Sequence, residues 1–255
     1  MNYNSEFLRR IPGLVDMRGK LPVHATKKWL GRDPAALVGV VYHQSLDSGD
    51  SLFGLAKYHV GPNHISSTGL PGLSYTMFVG RDGVPRLANN VEDKTYSQGD
   101  ADKPGDENAE FLAVCFSGNF SGAGYVGSQT LNEAQGITAH SLWEQLRDIL
   151  NFGNDRLFGH YDFGKPACPG NELQAIIEVY NNLSESELAI PLATVTDRQA
   201  SLKKLGCYQG PLGCEWGPEC RLGLTEFQKT VGLVPDGVWN KRLAIAIRKA
   251  LGAKA

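Results

Sequence analysis

Two short, unbroken apolar runs set the limits on how this chain can fold. They are Leu37-Val38-Gly39-Val40-Val41-Tyr42 and Phe111-Leu112-Ala113-Val114-Cys115-Phe116. Neither has a polar residue to turn toward water, and their length and β-branched content read as buried strands. Ser74–Val79 and Val84–Leu87 are further strand-like runs, and Asp82-Gly83 between them is a hairpin signal. Helical patterns stand among these strands. Ser51–His59 reads as a short helix. Thr130-Leu131-Asn132-Glu133 fits a capping box, followed by Ile137, Leu142, Leu146 and Ile149 at near-helical spacing. Leu173, Ile176, Ile177 and Tyr180 suggest another amphipathic helix. Strands interleaved with helices predict an α/β fold with a mixed central β-sheet flanked by helices. Residues 1–36 are mixed and polar, and Leu14–Pro22 reads as a surface lead-in. Glu92–Asn108 is polar, contains Gly99, Pro104 and Gly105, and reads as a long surface loop able to line a groove.

The chemistry-bearing residues sit at the edges of these elements. His43 ends the first apolar run, and Gly159–Gly170 holds His160 and Cys168 in a Gly/Pro-rich loop. Imidazole and thiolate are good zinc ligands, and a ligand at the end of a buried strand is held rigidly. Two His and one Cys would leave a fourth position open for water, as in a catalytic site. On spacing alone, the competing reading is a core cysteine and ordinary surface or capping histidines. A thiol hydrolase, with Cys168 as nucleophile and His160 as base, is another chemistry the same residues could serve.

Residues 10 to 182 resemble the zinc-dependent N-acetylmuramoyl-L-alanine amidases, a family that includes short phage enzymes and the peptidoglycan recognition proteins. The resemblance rests on Val40-Val41-Tyr42-His43-Gln44-Ser45 and Gly72–Gly83, then on Asn108 with Leu112–Gly118. Gly159-His160 and Ala167-Cys168-Pro169-Gly170 complete it. It implies an amidase/recognition-protein fold, with Zn2+ held by His43, His160 and Cys168. It also implies cleavage between N-acetylmuramic acid and L-alanine in bacterial peptidoglycan. Tyr75 stands where the family has a tyrosine beside the metal-bound water. Lys165 stands one residue before the place where relatives carry a lysine, and Pro166 occupies that place. Cys115 replaces the glutamate that some relatives use as general base. His59 has a family counterpart whose expected role is structural. His140 is expected to be a plain helix residue, and sequence assigns no partner to His24 or His64. A non-catalytic recognition protein on the same fold is the alternative, but such relatives typically lose the cysteine that is present here.

The composition shifts at Asn182–Thr196, where Ser184-Glu185-Ser186-Glu187 and Pro191 are linker-like. Thr196-Asp197-Arg198-Gln199 can cap a new helix. The C-terminal stretch of roughly 60 residues is large enough to fold alone, though marginally, and reads as three short helices. It resembles the small peptidoglycan-binding domain of cell-wall hydrolases through Phe227-Gln228 and Asp236-Gly237, although Gly213-Cys214 departs from the usual Asp-Gly. The expected domains are therefore a catalytic domain at 1–182, a linker at 183–197 and a wall-binding domain at 198–255. Cys207, Cys214 and Cys220 cluster in the last, as buried thiols or as a disulfide. Five cysteines without a CxxC argue against a full disulfide framework. A net charge of −2 gives no drive toward nucleic acid, and no apolar run suits membrane insertion. The N-terminus shows no signal-peptide pattern. This suits a monomeric phage endolysin held in the host bacterial cytoplasm until it reaches the wall, with a bacterial autolysin as the alternative.

Overall fold

β3 (Gly39–Gln44) and β7 (Phe111–Phe116) pair in parallel along their whole length, and every residue of both is buried. They form the middle of a six-stranded sheet in a computed structural model. The structure describes residues 5–252 except 48, 99–105, 123–125, 183–186, 188–189, 193, 214, 234, 238 and 240. The other strands are β1 (Val15–Asp16), β4 (Met77–Val79), β5 (Pro85–Leu87) and β8 (Leu157–Gly159), in the order β1-β5-β4-β7-β3-β8. All neighbours run parallel except β4 and β5, the hairpin through Asp82-Gly83. A separate ribbon pairs β2 (Leu30–Gly31) with β6 (Asp93–Lys94). The helices of this unit are α1 (Leu52–Val60), α2 (Glu107–Glu110), α3 (Glu133–Leu150) and α4 (Asn171–Asn181). The result is the mixed α/β architecture expected from the apolar runs. Among the described residues, no helix is long and apolar enough to cross a membrane.

Several local expectations need correction. α3 is capped by Asn132, not Thr130. The Asn132 side chain accepts the Gln135 N–H at 2.9 Å, while its amide donates to the Arg81 carbonyl at 2.8 Å. Along the helix Ile137 is 46% exposed, while Ala139, Leu142, Trp143, Leu146 and Leu150 face inward. Trp143 is wholly buried beside Tyr180 of α4. Trp143→Ala should cost about 3–5 kcal/mol of stability, read as a lower urea midpoint.

Leu14–Pro22 has no buried residue, in keeping with a surface lead-in, but the polar region around it is partly folded into the core. Phe7, Leu8 and Ile11 are buried, and the 3-10 turn Ser5–Arg10 packs on α3. Arg32 is buried, and its guanidinium donates to the Val91, Asn108 and Phe111 carbonyls and to Thr76 Oγ1. Burial pulls its pKa down to about 10. The described parts of Glu92–Asn108, residues 92–98 and 106–108, likewise carry buried side chains where a surface loop was expected. Thr95, Ser97, Gln98 and Asn108 are buried, and Asn108 Oδ1 accepts the N–H groups of Ser97 and Gln98 at 2.9 and 3.1 Å. Gly99, Pro104 and Gly105 lie outside the described residues.

The chain divides into two compact units, Met1–Asn181 and Asn182–Ala255. The second contains α5 (Val195–Leu205), α6 (Pro218–Thr230) and α7 (Lys241–Gly252). Its core includes Leu192, Leu202, Tyr208, Leu224, Phe227, Leu243 and Ile247. Thr194 caps α5 in a reciprocal box with Asp197, two residues before the expected cap. Leu192, placed by sequence in a linker, is 5% exposed and belongs to this core. Ser184-Glu185-Ser186 lies outside the described residues. Gln228 joins the two dipeptides that carried the C-terminal resemblance, donating to Asp236 Oδ1 at 2.7 Å and accepting the Gly237 N–H at 2.8 Å. Cys207 and Cys220 are free thiols, not a disulfide, and Cys214 is outside the described residues.

Candidate metal centre

The pairing of three strands explains why the site forms where it does. Tyr42 stands opposite Gly159, the last residue of β8, so the next residue of each segment, His43 on β3 and His160 at the start of the following 3-10 turn, emerges at the same level. Their ring centroids are 4.4 Å apart. β7 places Cys115 opposite His43. Cys168 arrives on the loop between the 3-10 turn His160–Phe163 and α4, with Sγ 3.9 Å from His43 Nδ1. That loop lies close against the segment after β7. Gly170 has φ +92°, and a Cβ there would clash with the Phe120 carbonyl. The Asn171 N–H donates to that same carbonyl at 3.1 Å. One donor atom each from His43, His160 and Cys168 lies within 4.8 Å of the others.

The electrostatics suit ligation. Burial, with His160 adding to it, holds the His43 pKa well below the ordinary imidazole value. Burial lowers His160 to about 4, with Lys165 acting in the same direction and the Gln98 carbonyl opposing. His160 Nε2 lies 2.8 Å from that carbonyl, which can only accept, so Nε2 carries the proton and Nδ1 keeps its lone pair. Among the described residues, His43 Nε2 is buried without a hydrogen-bond partner. Burial also pushes the Cys168 thiol up to about 12. Two neutral imidazoles and a half-buried thiol form a donor set that could hold a borderline-soft metal ion. Their arrangement favours ligation over a nucleophilic pair. A reactive cysteine needs a lowered pKa, and Cys168 faces His43 rather than the proposed base His160.

Tyr75 lies just before β4, with its ring centroid 5.1 Å from that of His43 and 5.7 Å from that of His59. Burial, and then the neighbouring thiols of Cys115 and Cys168, raise its pKa well above 10. Its hydroxyl is therefore a proton-bearing donor at neutral pH. Cys115 is also fully buried, with its pKa raised well above 9 by burial, so it cannot replace a glutamate base. Lys165 is exposed and stands outside the three-donor cluster, although its charge reaches His160. Among the described residues, no carboxylate joins that cluster.

The remaining histidines have local roles. His59 is buried, and its Nδ1 accepts the Ser74 N–H at 3.1 Å, steadying the segment that leads into Tyr75. His140 is buried against Tyr180. His24 Nδ1 accepts the N–H groups of Thr26 and Lys27, and His64 pairs with the Tyr58 hydroxyl. Sequence reading gave no role to Gln44, Gln98 or Asn108, which support the cluster from behind. The available signal was Gln44 itself, a polar side chain directly after His43 at the end of an apolar strand.

No protein-family model matches the chain, and no curated protein matches it. Solved structures do match it. One is Drosophila peptidoglycan recognition protein SD, at 16% identity and TM-score 0.50, covering 68% of this chain and 98% of that one. Over the matched part, the chain has the fold of that protein. Others are the N-acetylmuramoyl-L-alanine amidase LysCS from Clostridium intestinale URNW and the Ph2119 endolysin of a Thermus scotoductus bacteriophage. LysCS matches at 18% identity and TM-score 0.45, over 66% of this chain and 97% of its own. The Ph2119 endolysin matches at 14% identity and TM-score 0.44, over 67% of this chain and 99% of its own.

Proposed function

We propose that the protein is a zinc-dependent N-acetylmuramoyl-L-alanine amidase. It would hydrolyse the amide between N-acetylmuramic acid and the L-alanine of the peptidoglycan stem. The observation that carries this reading is the convergence of His43 from β3, His160 just after β8 and Cys168 from the loop before α4, beside the Tyr75 ring. His43, His160 and Cys168 would hold the ion. When bound, zinc supplies a water of pKa about 7 and a Lewis acid for the amide carbonyl. Gln98 keeps His160 in the ligating tautomer through its carbonyl. The Tyr75 hydroxyl donates a hydrogen bond to the oxygen on which negative charge develops. Lys165, exposed at the rim, is the proposed second source of positive potential for that oxygen. Chelation should abolish hydrolysis and added zinc should restore it. Activity that survives complete zinc removal would contradict the reading.

The ligand pKa values set a pH dependence. Near neutral pH both imidazoles are already neutral, His43 because burial holds its pKa well below the ordinary value and His160 because its pKa is about 4, whereas Cys168 keeps its proton to about pH 12. Metal binding must then expel one proton. Zinc affinity should rise about tenfold per unit between roughly pH 6 and 8, measured by competition with a chelator of known affinity.

We further propose that the second unit, 182–255, binds the wall, in support of which Gln228 links Phe227 to the Asp236-Gly237 turn. A chain ending at Asn181 should keep its zinc and cleave soluble muropeptides but act poorly on intact walls, having lost its tether. Residues 190–255 alone should pellet with purified peptidoglycan without hydrolysing it. The fragment begins at 190 because Leu192 and Thr194 belong to the folded unit. A fragment left in the supernatant would refute the assignment.

A further inference from the structure

Gln44 is 3% exposed at the end of β3, a position where an apolar side chain would continue the pattern of the strand. Burying an amide costs free energy unless its groups are bonded. The partners of Gln44 all lie on two irregular segments. Its Oε1 accepts the Phe120 N–H, and its Nε2 donates to Ser121 Oγ at 3.0 Å and to the Ala167 carbonyl at 2.5 Å. Its own backbone N–H points at Cys168 Sγ, 3.5 Å away.

These contacts bracket the cysteine. Ala167, immediately before it, is held directly. Asn171, three residues after it, is held through Phe120, whose N–H is fixed by Gln44 and whose carbonyl accepts the Asn171 N–H. Gly170 packs against the same carbonyl. The loop's other backbone bonds near Cys168, from Cys168 N–H to the Lys165 carbonyl and from Lys165 N–H to the His160 carbonyl, lie within the loop and its own turn. They do not tie it to the sheet that carries His43.

We propose that Gln44 is the positioning residue of the metal centre: its side-chain amide fixes the Cys168 loop to β3, so that the thiol meets the two imidazoles. This rests on the metal-centre reading above, and its test does not use hydrolysis. The full chain, with Gln44→Leu and Gln44→Met as variants of similar bulk without the amide, is titrated with Co2+. Binding is followed by the thiolate-to-cobalt charge-transfer band and the visible d–d bands. Both variants should bind Co2+ about 10–100-fold more weakly, with a thiolate band reduced relative to the d–d bands. Tyr42→Phe is the control. It removes an equally buried hydrogen bond from the same strand, Tyr42 hydroxyl to the Ala139 carbonyl at 2.6 Å. It should lower the melting temperature while leaving cobalt affinity and the thiolate band unchanged. Wild-type affinity and band in a folded Gln44→Leu or Gln44→Met variant would overturn the proposal, as would an equal loss in Tyr42→Phe. Absence of any thiolate band in the wild-type protein would instead overturn the metal-centre reading on which it rests.

Discussion

His43→Ala, His160→Ala and Cys168→Ser each remove most of the bound zinc and nearly all hydrolysis of peptidoglycan: this is the largest effect expected. A site with three protein donors and an open fourth position has none to spare. Zinc binding by a full set of protein ligands is worth about 10–16 kcal/mol. Loss of one donor in three then removes several kcal/mol, on the order of 10³-fold in affinity. The three variants should differ in folding. His43 is 1% exposed in the sheet, so its replacement by alanine leaves a cavity and lowers stability as well. Cys168→Ser is nearly isosteric, so its loss of zinc should come with little loss of structure. Zinc content by atomic spectroscopy, measured beside turnover, checks the assignment. Full activity in any one variant with zinc still bound would remove that residue from the ligand set.

Tyr75→Phe has the second largest expected effect, and it separates chemistry from metal binding. The ring packs beside His43 and His59 and against the apolar cluster of α1, and phenylalanine preserves all of that. Only the hydroxyl is lost. Turnover should fall by roughly 10²–10³, the cost of one oxyanion-type donor. Zinc content should stay near wild type, because the three proposed donors are untouched, and melting temperature should change little, because the ring packing is kept. The fall should appear in kcat more than in KM, since a donor to developing charge acts in the transition state. An unchanged kcat would reduce Tyr75 to a packing residue.

What the sequence disclosed, and what it hid, follows from how local each signal is. The runs at 37–42 and 111–116 were legible because a strand covered on both faces has no polar alternation. His43 could be singled out because it closes such a run, and His160 and Cys168 because they share one loop. Their meeting was not legible from spacing. It depends on the register of β3 with β8, which pairs Tyr42 with Gly159 over a long separation in sequence. The supporting groups were hidden for the same reason. Gln98 contributes only a backbone carbonyl, which carries no side-chain signature. Arg32 looks like a surface residue until the segments around it fold inward, and Asn108, although part of the matched family pattern, gave no sign of its bonds to Ser97 and Gln98. The shifts of helix caps from Thr130 to Asn132 and from Thr196 to Thr194 are of another kind. Each stretch offers two competent capping residues, and tertiary contacts choose between them, as the bond from Asn132 to the Arg81 carbonyl does for α3.

The most direct test of the central claim is mass spectrometry of purified sacculi digested by the zinc-loaded protein. Cleavage of the bond between N-acetylmuramic acid and L-alanine must release stem peptides with a free N-terminal L-alanine and leave glycan strands with intact lactyl groups. These products should vanish in Cys168→Ser. Cleavage within the glycan strand or within the peptide, or products that persist in Cys168→Ser, would contradict the account.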